Sequence, residues 1–170
     1  PEIGFLGFIV QRKQNVLHFL LQAKIEPGNL NVIQLSPTLQ ATRSNYTRVH
    51  KGRSPLYLEY FTGEKKVEIL VDQLQSEQGA RFYQKRNRNI IVEVDENEEL
   101  PVYENFVWAS LGQIKELLTY PNVVNMDTRT VISCIQYGNY SEKDLQLLSV
   151  FRLDTNLGHS DSFLYSVLSS

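Results

Sequence analysis

Apolar and polar positions are patterned most clearly at the start of the chain. Residues 3–10 and 16–24 read as two strands, and the polar Gln11-Arg12-Lys13-Gln14-Asn15 between them predicts a hairpin with a moderately long turn. Pro27-Gly28-Asn29 punctuates the chain, after which residues 32–35 and the aromatic-rich residues 56–61 supply two further strand candidates. Beyond Val67 the spacing changes. Ile69, Leu70, Gln73, Leu74 and Glu77 recur at near-helical intervals and predict a helix over about residues 70–85, with Gly79 as an interruption. Residues 90–94 then read as a strand, and residues 95–99 as an acidic surface loop.

The second half is expected to be mainly helical. Ser110-Leu111-Gly112-Gln113 has the spacing of a capping box, and Ile114, Leu117 and Leu118 form an apolar stripe behind it, so a helix over residues 110–119 is expected. Asp127 is placed to cap a further helix running through residues 130–135. Ser141-Glu142-Lys143-Asp144 opens another, containing Leu145, Leu148 and Phe151. After Leu153 the sequence is Ser-rich and weakly patterned, which divides the chain into a domain over residues 1–153 and a linker over residues 154–170. Residue 1 is proline and the first strand is already under way at Ile3, so the chain reads as a fragment of a longer protein.

A length of 170 residues with 42% hydrophobic content is enough for one medium domain with a real core. Net charge is -2, from 17 basic and 19 acidic residues, so no global field draws the chain to nucleic acid or an anionic membrane. Any anion has to be bound locally. The single cysteine, Cys134, has apolar neighbours Val131, Ile132 and Ile135 and reads as a buried, inert thiol; the cytoplasm is the expected compartment. No apolar run reaches the roughly 18 residues needed to cross a bilayer. There is no Gly-rich dinucleotide fingerprint, no Walker sequence and no His/Cys pairing at metal spacing, so neither cofactor nor metal is expected. His18 alternates with apolar neighbours and reads as a satisfied core or sheet-face histidine.

Local chemistry is concentrated in three polar strings. Residues 34–53 hold Arg43, Arg48, Arg53 and Lys51 among hydroxyls, amides and Tyr46, a mixture that supplies the donors and positive charge a pyrophosphate needs. Residues 75–89 again mix basic, amide and aromatic side chains; a solvated helix face followed by a charged turn is the plainer reading of that string. Residues 122–130 put polar groups at an expected helix start, where free N–H groups attract anions and where ordinary capping by Asp127 is the competing account.

Through these strings, together with Leu21-Gln22-Ala23-Lys24-Ile25-Glu26-Pro27-Gly28-Asn29 and residues 125–134, the sequence resembles the NDP-hexose 2,3-dehydratase family over roughly residues 3–135. The resemblance implies an α+β fold: a Nudix-like mixed sheet flanked by helices, one repeat of a tandem-repeat protein that forms homodimers, with this chain the first repeat truncated at its N-terminus. No Arg-Glu-x-x-Glu-Glu string occurs, so metal-dependent pyrophosphate hydrolysis is not expected. The implied reaction is loss of water across C2 and C3 of a dTDP-4-keto-6-deoxy-glucose, on the route to 2,6-dideoxy sugars of antibiotics and surface glycans. The C4 ketone acidifies the C3 hydrogen, so the substrate carries its own electron sink and no cofactor is required.

Such a site needs a base near C3, a donor at the C4 oxygen and an acid for the departing hydroxyl. The resemblance places proton transfer or enolate stabilisation among Tyr46, His50, Glu77 and Tyr83, and substrate contacts on Gln40, Arg43, Ser44, Asn45, Arg48, Gln78, Arg81, Lys85, Arg86, Asn125, Asp127 and Arg129. Each has a plainer alternative: the tyrosines as packing residues, His50 as an exposed loop residue, and Glu77 as the partner of Arg81 four residues on. A non-catalytic nucleotide-sugar-binding or dimerisation module is the competing function. Single-stranded RNA binding through residues 81–88 is disfavoured by the negative net charge and the lack of an RNP or KH pattern.

Overall fold

The computed structural model describes residues 3–42 and 54–135. Among these residues seven strands, β1 (Gly4–Lys13), β2 (Val16–Ile25), β3 (Ile33–Ser36), β4 (Leu39–Ala41), β5 (Glu68–Ser76), β6 (Arg86–Val94) and β7 (Phe106–Ser110), form one sheet with two helices, α1 (Leu111–Leu117) and α2 (Met126–Ser133). The main path runs β3-β2-β1-β6-β5, with β4 against β1 and β7 against β2. β1 and β6 are parallel and the other pairs antiparallel, so the sheet is mixed and the expected α+β class is met.

Period-two alternation sends side chains of the central strands into two separate cores. Leu6, Phe8, Val10, Phe19, Leu21 and Ile91 face Ile114 of α1 and Val131 and Ile132 of α2, with the Phe8 and Phe19 rings edge to face at 5.5 Å. Ile9, Leu20, Ile90, Val92 and Val94 point the other way, onto Tyr57, Leu58, Tyr60, Phe61 and Phe106. The helices therefore cover one face, and an aromatic segment covers the other.

β1 and β2 pair only from Val10–Lys13 with Val16–Phe19. Beyond that they diverge, and β3 and β4 enter the fork, one on each strand. Thr38, 2% exposed, stands at the apex. Its hydroxyl accepts from the Ile9 N–H at 2.9 Å and donates to the Leu20 carbonyl at 2.5 Å. Two buried backbone groups that the divergence strips of ladder partners are satisfied by one side chain.

Several elements differ from the sequence reading, each for a physical reason. The β1–β2 turn is a tight one: the strands reach Lys13 and Val16, and Gln14 and Asn15 both take positive φ (50° and 62°), the backbone of a type I′ hairpin. Residues 56–61 are not a strand. Tyr57, Leu58, Tyr60 and Phe61 are buried on one side of a 3-10 turn over Leu58–Tyr60, entered through Tyr57 at φ 64°. The expected helix over residues 70–85 is instead edge strand β5 and the turn into β6. A bulge between Ile69 and Val71 inserts one residue, which breaks the period of two and imitates helical spacing.

β7 carries no alternation long enough to announce itself, and β6 begins at Arg86, four residues before the strand read over residues 90–94. The capping box at Ser110 and Gln113 is present as read, with both reciprocal bonds made. α2 begins earlier than expected, and Asn125, not Asp127, caps it, its Oδ1 accepting from the Thr128 N–H at 2.8 Å. The expected helix opening at residue 141, the boundary at residue 153 and the linker beyond it lie outside the described residues.

Two substitutions test this framework. Thr38→Val keeps the shape but strands the Ile9 N–H and the Leu20 carbonyl; at about 1 to 3 kcal/mol per unsatisfied buried group, unfolding free energy should fall by about 2 to 6 kcal/mol in a urea titration. Thr38→Ser, which keeps the hydroxyl, should lose much less. A Cβ on Gly7 would lie 2.3 Å from a ring carbon of Phe61, so Gly7→Ala should cost about 1 to 3 kcal/mol through overpacking. Adding Phe61→Leu should recover part of that loss, and strict additivity of the two changes would contradict the contact.

Candidate functional site

On the helix-facing side of β6 the alternating positions read Asn87, Asn89, Ile91, so the strand passes from polar to apolar halfway along the core. The polar end opens a cleft beside the first turn of α2. Asn87 opposes Gly4 across the parallel ladder, and a Cβ at Gly4 would approach the Asn87 Oδ1 to 3.0 Å; the glycine leaves that amide its place. Asn87 donates through Nδ2 to the Glu77 Oε2 at 2.5 Å, and Lys85 Nζ lies 3.4 Å from the same oxygen. Glu77 sits just past β5, at the closing pair of the β5–β6 hairpin, where its N–H bonds the Lys85 carbonyl.

The other wall is α2. Its start is tied to β3 by Leu35, whose N–H donates to the Val123 carbonyl and whose carbonyl accepts from the Asn125 N–H and the Thr128 hydroxyl. That anchoring brings Asp127 to the cleft. Gln40 of β4 connects the two sides, donating to Glu26 Oε1 at 2.9 Å and accepting from the Asn125 amide at 3.4 Å, while Lys24 pairs with Glu26 at 3.2 Å.

The cleft has two lobes. The outer, about 240 Å³, is lined by Lys24, Gln40, Thr42 and Lys85 among others; the inner, about 90 Å³, by Gln75, Gln78, Asn89, Met126 and Thr130. Leu6, Glu77, Asn87 and Asp127 border both. A larger hollow of about 470 Å³ lies at the far ends of β1 and β6, near Arg12, Lys66, Glu93 and Glu96. Its Arg12–Glu93 pair is a surface contact, and it holds none of the buried, unpartnered polar atoms; the smaller cleft is the better-built site.

Loss of solvent raises the Asp127 carboxyl above the ordinary aspartate range, and the Glu77 and Glu26 charges push it further, against the weaker opposing pull of Lys24 and Lys85. Glu77 is held by an ammonium and an amide, whereas Asp127 is held toward its protonated form. The cleft thus sets an ion-paired carboxylate, Glu77, near a carboxyl, Asp127, whose pKa is raised. Among the described residues no group of three or more His, Cys, Asp and Glu side chains is arranged to hold a metal ion, and no helix is long and apolar enough to cross a membrane.

Of the residues singled out in the sequence, Gln40, Glu77, Gln78, Lys85 and Asp127 line the cleft, and Asn125 supports it as the α2 cap. Tyr83 is 81% exposed in the β5–β6 turn, and Arg81 and Arg86 are exposed and line neither lobe. Arg129 is exposed and donates to the Val124 carbonyl. The alternative pairing of Glu77 with Arg81 does not occur, because Glu77 follows directly on strand β5 rather than lying in a helix, and its partner is Lys85. Arg43, Ser44, Asn45, Tyr46, Arg48 and His50 lie outside the described residues; they follow directly on Thr42, which lines the outer lobe. The sequence reading did not pick out Lys24, Glu26, Asn87 or Asn89 as site residues. For the two asparagines a signal existed, since both share the parity of Ile91 on a strand otherwise buried.

Comparison with known proteins follows the same boundaries. The family model for NDP-hexose 2,3-dehydratase matches residues 1–135. A dTDP-4-dehydro-6-deoxy-alpha-D-glucopyranose 2,3-dehydratase of Saccharopolyspora spinosa is 58% identical over 136 residues, covering 80% of this chain and 28% of the relative. A protein of the same name from Amycolatopsis orientalis is 47% identical over 155 residues, covering 89% of this chain and 32% of the relative. The chain therefore spans about a third of the length of the curated relatives it matches. Among solved structures it is similar to the Ap4A hydrolase of C. elegans, at 13% identity and a TM-score of 0.46, covering 78% of this chain and 93% of that one. It is also similar to the NUDIX domain of Shewanella oneidensis NrtR, at 11% identity and a TM-score of 0.40, covering 76% and 82%. With the family model running over residues 1–135, the chain belongs to the NDP-hexose 2,3-dehydratase family.

Proposed function

We propose that the full-length protein removes water across C2 and C3 of dTDP-4-keto-6-deoxy-glucose, and that the cleft between Glu77 and Asp127 holds the keto-sugar. Two carboxyls in one cleft, one ion-paired and one pushed toward its protonated form, carry this reading. Family membership and the names of the relatives support it.

In this reading Glu77 takes the C3 hydrogen, whose bonding pair moves toward the C4 oxygen to give an enolate. The ammonium groups of Lys24 and Lys85 are at hand as that charge develops. The enolate pair then forms the C2–C3 double bond as the C2–O bond breaks, and the departing hydroxyl takes the Asp127 proton to leave as water. The enol at C3 tautomerises to a 3,4-diketo sugar. Asp127 thus moves from a substrate contact to the acid. Tyr83, at the surface, has no part; Tyr46 and His50 stay as further candidates beyond Thr42, with Arg43 and Arg48 as diphosphate contacts. A cytoplasmic homodimer belongs to the same reading.

Replacing each carboxyl separates the two steps. In the full-length protein Asp127→Asn should lower water release by about 10² to 10⁴-fold, the usual contribution of a positioned general acid, while hydrogen at C3 still exchanges with deuterated solvent. Glu77→Gln should lose both exchange and elimination. Turnover near the parent rate in both variants would eliminate this assignment, and binding of the sugar nucleotide without turnover by the full-length protein would favour a binding module.

A stability measurement gives an independent check. Because the folded Asp127 carboxyl titrates above its unfolded value, the folded state binds more protons between the two, and parent stability falls as pH rises through that window. Asp127→Asn removes the fall. Its melting temperature relative to the parent should climb from about pH 4 upward and level off once the folded carboxyl has ionised.

A further inference from the structure

The inner lobe ends on Asn89, which is 0% exposed. Its amide Nδ2 donates to the Asn87 carbonyl at 3.3 Å, but its Oδ1 is buried without a partner. A buried carbonyl oxygen left unpaired is costly in an isolated chain and calls for a ligand or water that donates to it.

Polar groups around it are tied to neighbours other than Asn89 Oδ1. Gln75 and Gln78 direct their Nε2 groups at Cys134 and Met126 sulfurs, the Asn87 amide is spent on Glu77, and the Thr130 hydroxyl donates to the Met126 carbonyl. Among the described residues no cation lines the lobe and two carboxyls, Glu77 and Asp127, do, which disfavours an anion, whereas a hydroxyl or a water finds an acceptor in Asn89 Oδ1. Size agrees with this: about 90 Å³ is the room of about three waters at about 30 Å³ each, so the lobe takes an exocyclic group and not a nucleoside. Asp127 borders this lobe as well as the outer one.

We propose that the inner lobe is the pocket of the departing hydroxyl, with Asn89 Oδ1 accepting the hydrogen of the sugar C2 hydroxyl before and during its loss. This rests on the dehydratase reading of the cleft. The C2–O bond breaks with its electron pair going to oxygen, the Asp127 proton joins that oxygen, and the hydrogen held by Asn89 becomes the other hydrogen of the water. The released molecule then occupies a lobe that can hold it behind the sugar ring.

Binding of unreactive analogues tests this without turnover. A dTDP-6-deoxyhexose bearing a C4 hydroxyl in place of the ketone, and its 2-deoxy counterpart, are titrated calorimetrically into the full-length protein. The parent should prefer the hydroxyl-bearing analogue by about tenfold, and Asn89→Leu, close in shape, should bring the two within about twofold. Asn89→Ser, which leaves space for a water to act as acceptor, should restore part of the preference and serves if the leucine variant does not fold. On the keto-sugar, Asn89→Leu should slow water release about tenfold while C3 hydrogen exchange keeps its parent rate.

An undiminished hydroxyl preference in both Asn89 variants, or no preference in the parent, overturns the assignment. So does a parallel fall of exchange and elimination, which would mark a structural role. Failure of the dehydratase reading looks different: the parent protein would neither exchange C3 hydrogen nor release water, whatever the analogues show.

Discussion

The fold depends on a parting of strands that the Thr38 hydroxyl makes possible. β1 and β2 leave the hairpin together and then separate, and separation in a buried sheet exposes N–H and C=O groups that have no water to turn to. Thr38 takes one of each, from Ile9 and Leu20. Opening the fork admits β3 and β4, and these are the strands that matter for the cleft: β3 anchors the start of α2 through Leu35, and β4 delivers Gln40 and Thr42. A hydrogen bond deep in the sheet thereby determines where Asp127 stands.

What collects in the cleft is costly for stability. Asp127 is held partly out of water beside two other carboxylates, and Asn89 keeps a buried oxygen unpaired. Both are local departures from the consistency seen in the capping box of α1 and in the two cores; among the described residues the other buried side-chain atom without a partner is Asn29 Nδ2. Such departures concentrate where a ligand relieves them, and Asp127 and Asn89 share the borders of one cavity.

Much of the β framework was legible from residues alone. The first hairpin, the strand at residues 90–94 and the Ser110 capping box needed only alternation and local hydrogen-bond chemistry. β5 was not, because its bulge at Leu70 shifts the phase of the apolar positions into a helical spacing, and because an edge strand with Ile69, Leu70 and Leu74 exposed lacks a clean inner face. Residues 56–61 failed for the converse reason: aromatic content favours a strand, yet Tyr57, Leu58, Tyr60 and Phe61 pack from one side of a tight turn. Asp127 stands out in the sequence as a polar residue at a helix start, but the capping bond read for it belongs to Asn125 two residues earlier, which leaves the aspartate in the cleft near Glu77.

The distribution of charge explains why the polar strings, read by composition, pointed to an anion while the cleft itself suits a neutral sugar. Among the described residues, Arg81, Arg86 and Arg129 are exposed and line neither lobe, and the two ammonium groups that line the outer lobe are each matched by a carboxylate, Lys24 by Glu26 and Lys85 by Glu77. Paired cations of this kind offer a diphosphate little, because its charge competes with carboxylates already in place. They suit a ketone better: its oxygen carries no charge on arrival and acquires it only as the C3 hydrogen leaves, so attraction from the lysines rises along the reaction and not before it. A cleft whose lysines are each paired at rest gives its stabilisation to the enolate, which is where the proposed elimination requires it.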